Sequence, residues 1–236
     1  MKCDIIIPIW NQLELTKKCI DSIRNFTDFP YRLILIYNGS DSEVKKYLNS
    51  LKRSSELDLA LITNKENLGW IKAINQGLKV TDAEFVCFQN NDIEVSTGWL
   101  SGLVDIALFD KAIGIVNPAW EQTPRTKNNI NYAVLDYCRG FCMLVKKEVI
   151  NKIGGLDEVF GMGYYDDWDF SLKAINAGYK CVRANSVNVI HHKEKSFSVM
   201  LDKKAWTELF ERNKLIFYKR WGKPLRFLLA LDLKKV

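Results

Sequence analysis

Phe85-Val86-Cys87-Phe88-Gln89-Asn90-Asn91-Asp92 is the stretch from which the rest of the chain reads outward. A mostly apolar run of this length predicts a strand covered on both faces, as in a parallel sheet. Ligands of open α/β sheets lie beyond the carboxyl ends of the strands, so Asn90 and Asp92 project toward a ligand. A carboxylate with amide neighbours suits a hard cation, Mg2+ or Mn2+, that shares its oxygen ligands with phosphates. The plainer alternative is an Asx turn. On this stretch alone the turn is preferred, and the rest of the chain reverses that preference.

Upstream, strands and helices alternate. Residues 3–9 are a β-branched apolar strand containing Pro8, and Trp10-Asn11-Gln12 is the loop at its end. Residues 13–25 follow helical spacing, with Leu15, Cys19, Ile20 and Ile23 on one face. A strand over 31–37 leads into Asn38-Gly39-Ser40, a turn expected also to cap a helix over 42–53. A third strand covers 57–63, and Asn67-Leu68-Gly69 opens a helix that runs to about residue 79. This alternation predicts an α/β fold with a doubly wound, parallel sheet. The first strand-to-helix turn lacks G-x-G-x-x-G, and no G-x-x-x-x-G-K-[ST] occurs, which argues against a dinucleotide fold of the usual type and a P-loop.

The second half reads as mixed, with helices over 99–109, 147–153, 166–178 and 199–221 and strands over 113–116, 134–135, 138–145 and 181–190. Residues 121–131 are a polar loop, long enough to be a binding loop. Together with 161–165 they are the candidate acceptor-side segments. No repeat, low-complexity segment or linker divides the chain, so one domain over 1–236 is expected, with a nucleotide-type half over 1–92 and a mixed half over 93–236.

A hydrophobic content of 47% is ample for a packed core. The net charge of +6, from 34 basic and 28 acidic residues, fits an anionic small ligand or an acidic membrane surface at least as well as nucleic acid. The six cysteines, Cys3, Cys19, Cys87, Cys138, Cys142 and Cys181, form no C-x-x-C pair and read as free buried thiols of a reducing compartment. The chain opens on a strand pattern, so no signal peptide is expected. No apolar run approaches the ~20 residues that span a bilayer. A cytoplasmic protein follows, with membrane contact only at its periphery.

A second acid cluster, Asp166-Asp167-Trp168-Asp169, follows Gly161-Met162-Gly163 and opens a helix. Acids in a first helical turn are stabilised by the macrodipole, and one of them could be only an N-cap. Three carboxylates in four residues exceed what capping requires and repel one another. Asp166 and Asp169 share a helical face while Asp167 points elsewhere, which allows one structural and one chemical role. An ordinary Asp is already ionised at neutral pH and able to act as a base. His191 and His192 end an apolar strand, where a metal ligand and a hydrogen-bonded rim histidine weigh equally.

Together these stretches resemble the inverting family 2 glycosyltransferases of the GT-A fold, over nearly the whole chain. Asp4 to Asn11 resembles the opening strand and nucleotide loop, and Tyr37-Asn38-Gly39-Ser40 the D-N-G-S turn. Asn67-Leu68-Gly69-Trp70 with Ala73, Asn75 and Gly77 resembles N-x-G-x-x-x-A-x-N-x-G, and Asn90-Asn91-Asp92 stands where D-x-D does. Gly154-Gly155-Leu156-Asp157-Glu158 and Asp166-Asp167-Trp168-Asp169-Phe170 resemble G-G-F-D-E and E-D-x-D-L. Val189, His191 and Ser196 match V-x-H-x-x-x-x-S, and Arg212-Asn213 the closing R-N helix.

The resemblance implies a Rossmann-like, mostly parallel sheet flanked by helices, with a mixed acceptor-side half. It implies transfer of a sugar from a nucleotide-diphosphate donor, UDP first, then dTDP or GDP, to a hydroxyl of a glycan or lipid-linked acceptor in bacterial surface glycan synthesis. Asp167 would be the base. Asp92, Asn90 and His191 would hold Mn2+ or Mg2+ on the diphosphate. Pro8, Asn11, Tyr37, Asn38, Asn67 and Gly69 would shape the nucleotide-sugar pocket, with Asn90, Asn91, Asp92 and Asp166. This chain departs from the pattern at Tyr37, Asn90 and Asp166, where the family usually has an acid, an acid and a Glu. Tyr37 could stack on a base, and Asn90 lowers the expected metal affinity. Residues 203–236 are basic and aromatic, and the last dozen suit an interfacial anchor on the inner face of the plasma membrane as well as a packed helix. Two other readings are a catalytically silent nucleotide-sugar or glycan-binding protein, supported by Tyr37 and Asn90, and a sugar nucleotidyltransferase. The latter needs a glycine-rich phosphate loop where this chain has Pro8-Ile9-Trp10-Asn11.

Overall fold

A computed structural model describes residues 1–54, 57–120, 132–192 and 203–222. The chain forms two compact units, Met1–Glu194 and Lys195–Val236. In the first, strands β1 (Cys3–Ile9), β2 (Tyr31–Asn38), β3 (Leu59–Asn64), β4 (Phe85–Gln89), β5 (Ile93–Glu94), β6 (Ile113–Trp120), β7 (Tyr132–Leu135), β8 (Cys142–Lys146) and β9 (Lys180–His191) form one sheet. Their order is β3-β2-β1-β4-β8-β6-β9-β5, with β7 also on β9. Helices α1 (Leu13–Phe26), α2 (Ser42–Arg53), α3 (Gly69–Leu78), α4 (Trp99–Phe109), α5 (Lys147–Ile153) and α6 (Asp166–Asn176) complete this unit. The second unit contains α7 (Lys203–Trp221).

β3, β2, β1 and β4 run parallel, as their continuous apolar sequences require. All seven residues of β1 are buried because helices cover both faces. Ile5, Ile7 and Ile9 join Cys19, Ile20, Val44 and Leu48 of α1 and α2 in the core. Ile6 faces α3, where a Cβ on Gly77 would stand 2.5 Å from its Cγ2. β4 is the seam: it runs parallel to β1 but antiparallel to β8, and β8 is antiparallel to β6. The mixed half therefore begins directly beside the strand that carries Asp92.

Several expected boundaries move. The cap of α2 is Asp41, not the preceding turn, and its carboxylate accepts from Val44 N at 3.0 Å. The strand expected over 138–145 is β8 alone. Residues 138–141 leave the ladder because Asn117 grips their backbone, donating to Arg139 O at 3.0 Å and accepting from Arg139 N at 2.6 Å. The two-residue strand β5 was not anticipated. The loop over 121–131, Ser196 and the tail over 225–236 lie outside the described residues. All six cysteines are free and buried, as expected. Among the described residues, no helix is long and apolar enough to cross a membrane.

Candidate functional site

Three loops at the carboxyl ends of β1, β2 and β3 are stitched together by amides. Asn11 and Gln12 adopt left-handed backbone at φ 54° and 55°. Asn11 N donates to Ser40 Oγ at 2.6 Å, and its Oδ1 accepts from Ser40 Oγ at 3.1 Å. Asn38 is a buried hub: its Nδ2 donates to Asn67 Oδ1 at 2.8 Å, and its Oδ1 accepts from Leu68 N at 3.1 Å and Asn64 Nδ2 at 3.0 Å. Gly39, at φ +66°, allows this approach, since a Cβ there would lie 2.2 Å from the Glu66 carbonyl carbon. Gly69, at φ +82°, similarly admits Met162, whose Sδ would be 2.8 Å from an added Cβ.

The structure thus brings Asn11, Asn38, Asn67 and Gly69 to one edge, where Asn38 is occupied in holding the loops. Pro8 is buried within β1 opposite Ile36. Two expectations are corrected. Tyr37 is buried in the core and its hydroxyl donates to the Ser40 carbonyl, so its ring does not stand open to a nucleobase. Asn91 is buried and donates to Thr16 Oγ1 at 2.9 Å, tying the end of β4 to α1 rather than facing a ligand.

Asp92 and His191 meet where β5 pairs with the end of β9. Asp92 Oδ1 is buried, receives no hydrogen bond, and stands 3.3 Å from His191 Nε2. Asn90 Nδ2 is 3.5 Å from the same nitrogen. A buried carboxylate oxygen without a donor is an unmet electrostatic demand, and a cation would meet it. The oxygen, amide and imidazole set fits Mn2+ or Mg2+ when a diphosphate supplies further oxygens. Among the described residues no cluster of three or more His, Cys, Asp or Glu forms; Asp92 and His191 are two such groups, and Asn90 adds an amide beside them. His192 pairs separately with Glu94 at 2.6 Å.

α6 carries the second cluster, and its acids divide as the helical spacing implies. Asp166 and Asp169 are buried, and Asp167 is half-buried. Asp169 pairs with Lys173 at 2.9 Å, and Lys173 also reaches Asp157 at 3.3 Å, so Asp169 is a structural anchor. Tyr164 and Tyr165 enter the helix at φ 71° and 68°, a strained approach for two non-glycine residues. Asp167 Oδ2 accepts from Gly140 N at 3.2 Å and Oδ1 from Trp168 N at 2.9 Å. Burial pushes its carboxyl up to about 6, while those two N–H groups and the Arg139 charge hold it from rising further. Burial and the neighbouring Asp167 push Asp166 up to about 8. Both carboxyls are thus less acidic than an ordinary Asp, through burial and, at Asp166, the neighbouring charge of Asp167.

The sequence reading missed the connection between the clusters. Gly140 N binds Asp167, while the next residue, Phe141, accepts from Asn90 N at 2.9 Å and stacks its ring on His191 at 5.1 Å. Two adjacent residues thus join the base candidate to the metal candidate. Ser171 also escaped notice: its hydroxyl donates to Asp167 O at 2.7 Å and accepts from Cys138 N at 3.0 Å. The visible signal was Gly140 inside a strand-like run, a position where backbones approach closely.

The model of glycosyl transferase family 2 matches residues 4–134, more than half of the chain. The chain belongs to this family. It is 24% identical over 232 residues to an N-acetylglucosaminyl-diphospho-decaprenol L-rhamnosyltransferase of Mycobacterium tuberculosis, covering 76% of this chain and 72% of that protein. It is 23% identical over 226 residues to the O-antigen biosynthesis protein RfbC of Myxococcus xanthus, covering 83% of this chain but only 18% of that protein. The fold matches that of a mannosyltransferase from Pyrobaculum calidifontis, solved with GDP-Man and Mn2+, at a TM-score of 0.71 and 18% identity, covering 92% of this chain and 69% of that one. The family 2 chain thus has the GT-A architecture, a mostly parallel sheet flanked by helices with a mixed second half.

Proposed function

We propose that this family 2 chain is an inverting glycosyltransferase that moves a sugar from a nucleoside-diphosphate donor to an acceptor hydroxyl in bacterial surface glycan synthesis. The observation that carries this reading is the pair of adjacent residues, Gly140 and Phe141, that bind Asp167 on one side and Asn90 and His191 on the other. They fix a base next to a cation site, as one displacement requires. The relatives named for surface-glycan chemistry and the fold neighbour holding GDP-Man support the same reading. Residues 1–92 hold the donor, UDP first and dTDP or GDP next, and the remainder presents the acceptor.

Asp167 takes the acceptor hydroxyl proton as that oxygen attacks the anomeric carbon from the face opposite the leaving diphosphate. With its carboxyl near 6, it is ionised at neutral pH yet basic enough to accept the proton. Gly140 N and Trp168 N hold both its oxygens, which fixes the orientation of the carboxylate. Asp92, Asn90 and His191 would hold Mn2+ or Mg2+, whose chemistry when bound is to neutralise charge on the diphosphate. Asp167→Asn is expected to lower transfer by about 10²–10⁴-fold while donor-nucleotide binding persists. Full activity in this variant would remove Asp167 from the mechanism. In this reading the protein works in the cytoplasm, and its last dozen residues serve as an interfacial anchor on the inner face of the membrane. Liposome co-sedimentation that is unchanged on deleting residues 225–236 would remove that contact.

A further inference from the structure

Beside Asp167 stands an aromatic wall that the transfer chemistry does not itself require. Tyr137 and Trp168 place their ring centroids 4.3 Å apart at 45°, and Tyr165 meets Trp168 edge-on at 5.8 Å. Across Gly140, a Cβ would stand 3.7 Å from both Asp167 Cβ and Trp70 Nε1, so the Trp70 indole and the Asp167 side chain flank the same glycine. Tyr137, Trp168 and Trp70 are all half-buried, unlike Phe88, Phe160 and Phe170 of the core, so each keeps part of its surface open. The wall is rigid. Asn117 and Ser171 clamp the backbone of residues 138–142, and Ser171 also binds the first turn of α6 through Asp167 O.

We infer that Trp168 and Tyr137 stack the acceptor, and that the acceptor is a pyranose ring rather than an open-chain polyol or a lone lipid hydroxyl. This rests on the reading of Asp167 as the base. An aromatic face carries negative charge density and attracts the C–H face of a sugar ring. The hydroxyls at the ring's rim then meet Asp167, an acceptor of hydrogen bonds, and Arg139, an exposed residue whose guanidinium carries several donors and also bonds Tyr137. A flexible polyol has no flat C–H face to lay on the wall and loses more conformational freedom on binding. One face and one rim match one ligand class, with one hydroxyl held at the base.

The test uses the full chain and a set of methyl pyranosides (gluco, galacto, manno and 2-acetamido-gluco), with sorbitol as the open-chain control. Saturation-transfer NMR is read on wild type, Trp168→Phe, Trp168→Leu and Tyr137→Leu, and a nucleoside-diphosphate thermal shift is read on each. At least one pyranoside should receive saturation on its C–H face protons from wild type and Trp168→Phe. Affinity should fall about tenfold or more in Trp168→Leu and Tyr137→Leu, the scale of one aromatic contact. The nucleotide shift should be the same in all four proteins, which also shows that the variants fold. Silence from every pyranoside, equal transfer to sorbitol, or undiminished binding in Trp168→Leu overturns the stacking wall. Absence of any nucleotide shift in wild type instead overturns the transferase reading, so the two failures are told apart.

Discussion

At the scale of single residues, Asp166 and Asp167 differ by one position and by their surroundings. Asp167 keeps two backbone N–H donors and the Arg139 charge, while Asp166 lies deeper against a like charge. Asp166 therefore holds its proton to about 8, far above the 3.8 of a free carboxyl. A folded pKa above the unfolded one means that the protonated acid favours folding. That contribution is complete below 3.8 and is lost as pH rises through about 8. Asp166→Asn cannot ionise and escapes this loss. Its stability relative to wild type should grow between pH 5 and pH 8 at up to about 1.4 kcal/mol per pH unit. Urea unfolding at three pH values reads this. A constant difference would mean that Asp166 is not held protonated in the folded protein.

At the scale of elements, the segment between β7 and β8 does more than its sequence advertised. Residues 138–141 look like part of a strand, since Cys138, Phe141 and Cys142 are apolar. Asn117, at 0% exposure, takes both backbone groups of Arg139 and, at 2.6 Å, the Cys142 O at the start of β8, and so holds the segment off the ladder. Asn117→Ala leaves those groups without partners in a dry interior and should cost roughly 2–4 kcal/mol. It should also lower kcat, because Gly140 N would no longer be held against Asp167. An urea midpoint and kcat that both match wild type would show that the clamp is dispensable. Periodicity located β1, α2, α4 and α5 to the residue because burial on one or both faces set their patterns. It failed at residues 138–141 because a single distant amide decides their path, and no local spacing records that. For the same reason Tyr37 and Asn91 read as ligand-facing. Their motif positions are visible in sequence, but the Ser40 carbonyl and Thr16 hydroxyl that occupy them are brought in by the fold.

At the scale of the whole molecule, the site exists because a parallel half and a mixed half share the seam between β4 and β8. The loops after β1, β2 and β3 come from one half, and Gly140, Phe141, Asp167 and His191 from the other. A ligand that binds this edge touches elements from both, so it favours the folded state by mass action. The gain is about 2.7 kcal/mol at a hundred times the dissociation constant. A thermal-shift panel of UDP, dTDP, GDP and CMP, each with and without Mn2+, should therefore single out one nucleoside diphosphate whose shift requires the cation. Asp92→Ala should abolish the cation-dependent part, since it removes the buried oxygen that receives no hydrogen bond. Asp167→Asn should keep that part, because in the proposed reading its carboxylate serves the acceptor and not the diphosphate. A shift equal with and without Mn2+ in wild type would take Asp92, Asn90 and His191 out of the metal role. A cation-dependent shift that survives Asp92→Ala would move the metal to other residues. Loss of the shift in Asp167→Asn would place both carboxylates in donor binding and leave the acceptor hydroxyl without its base.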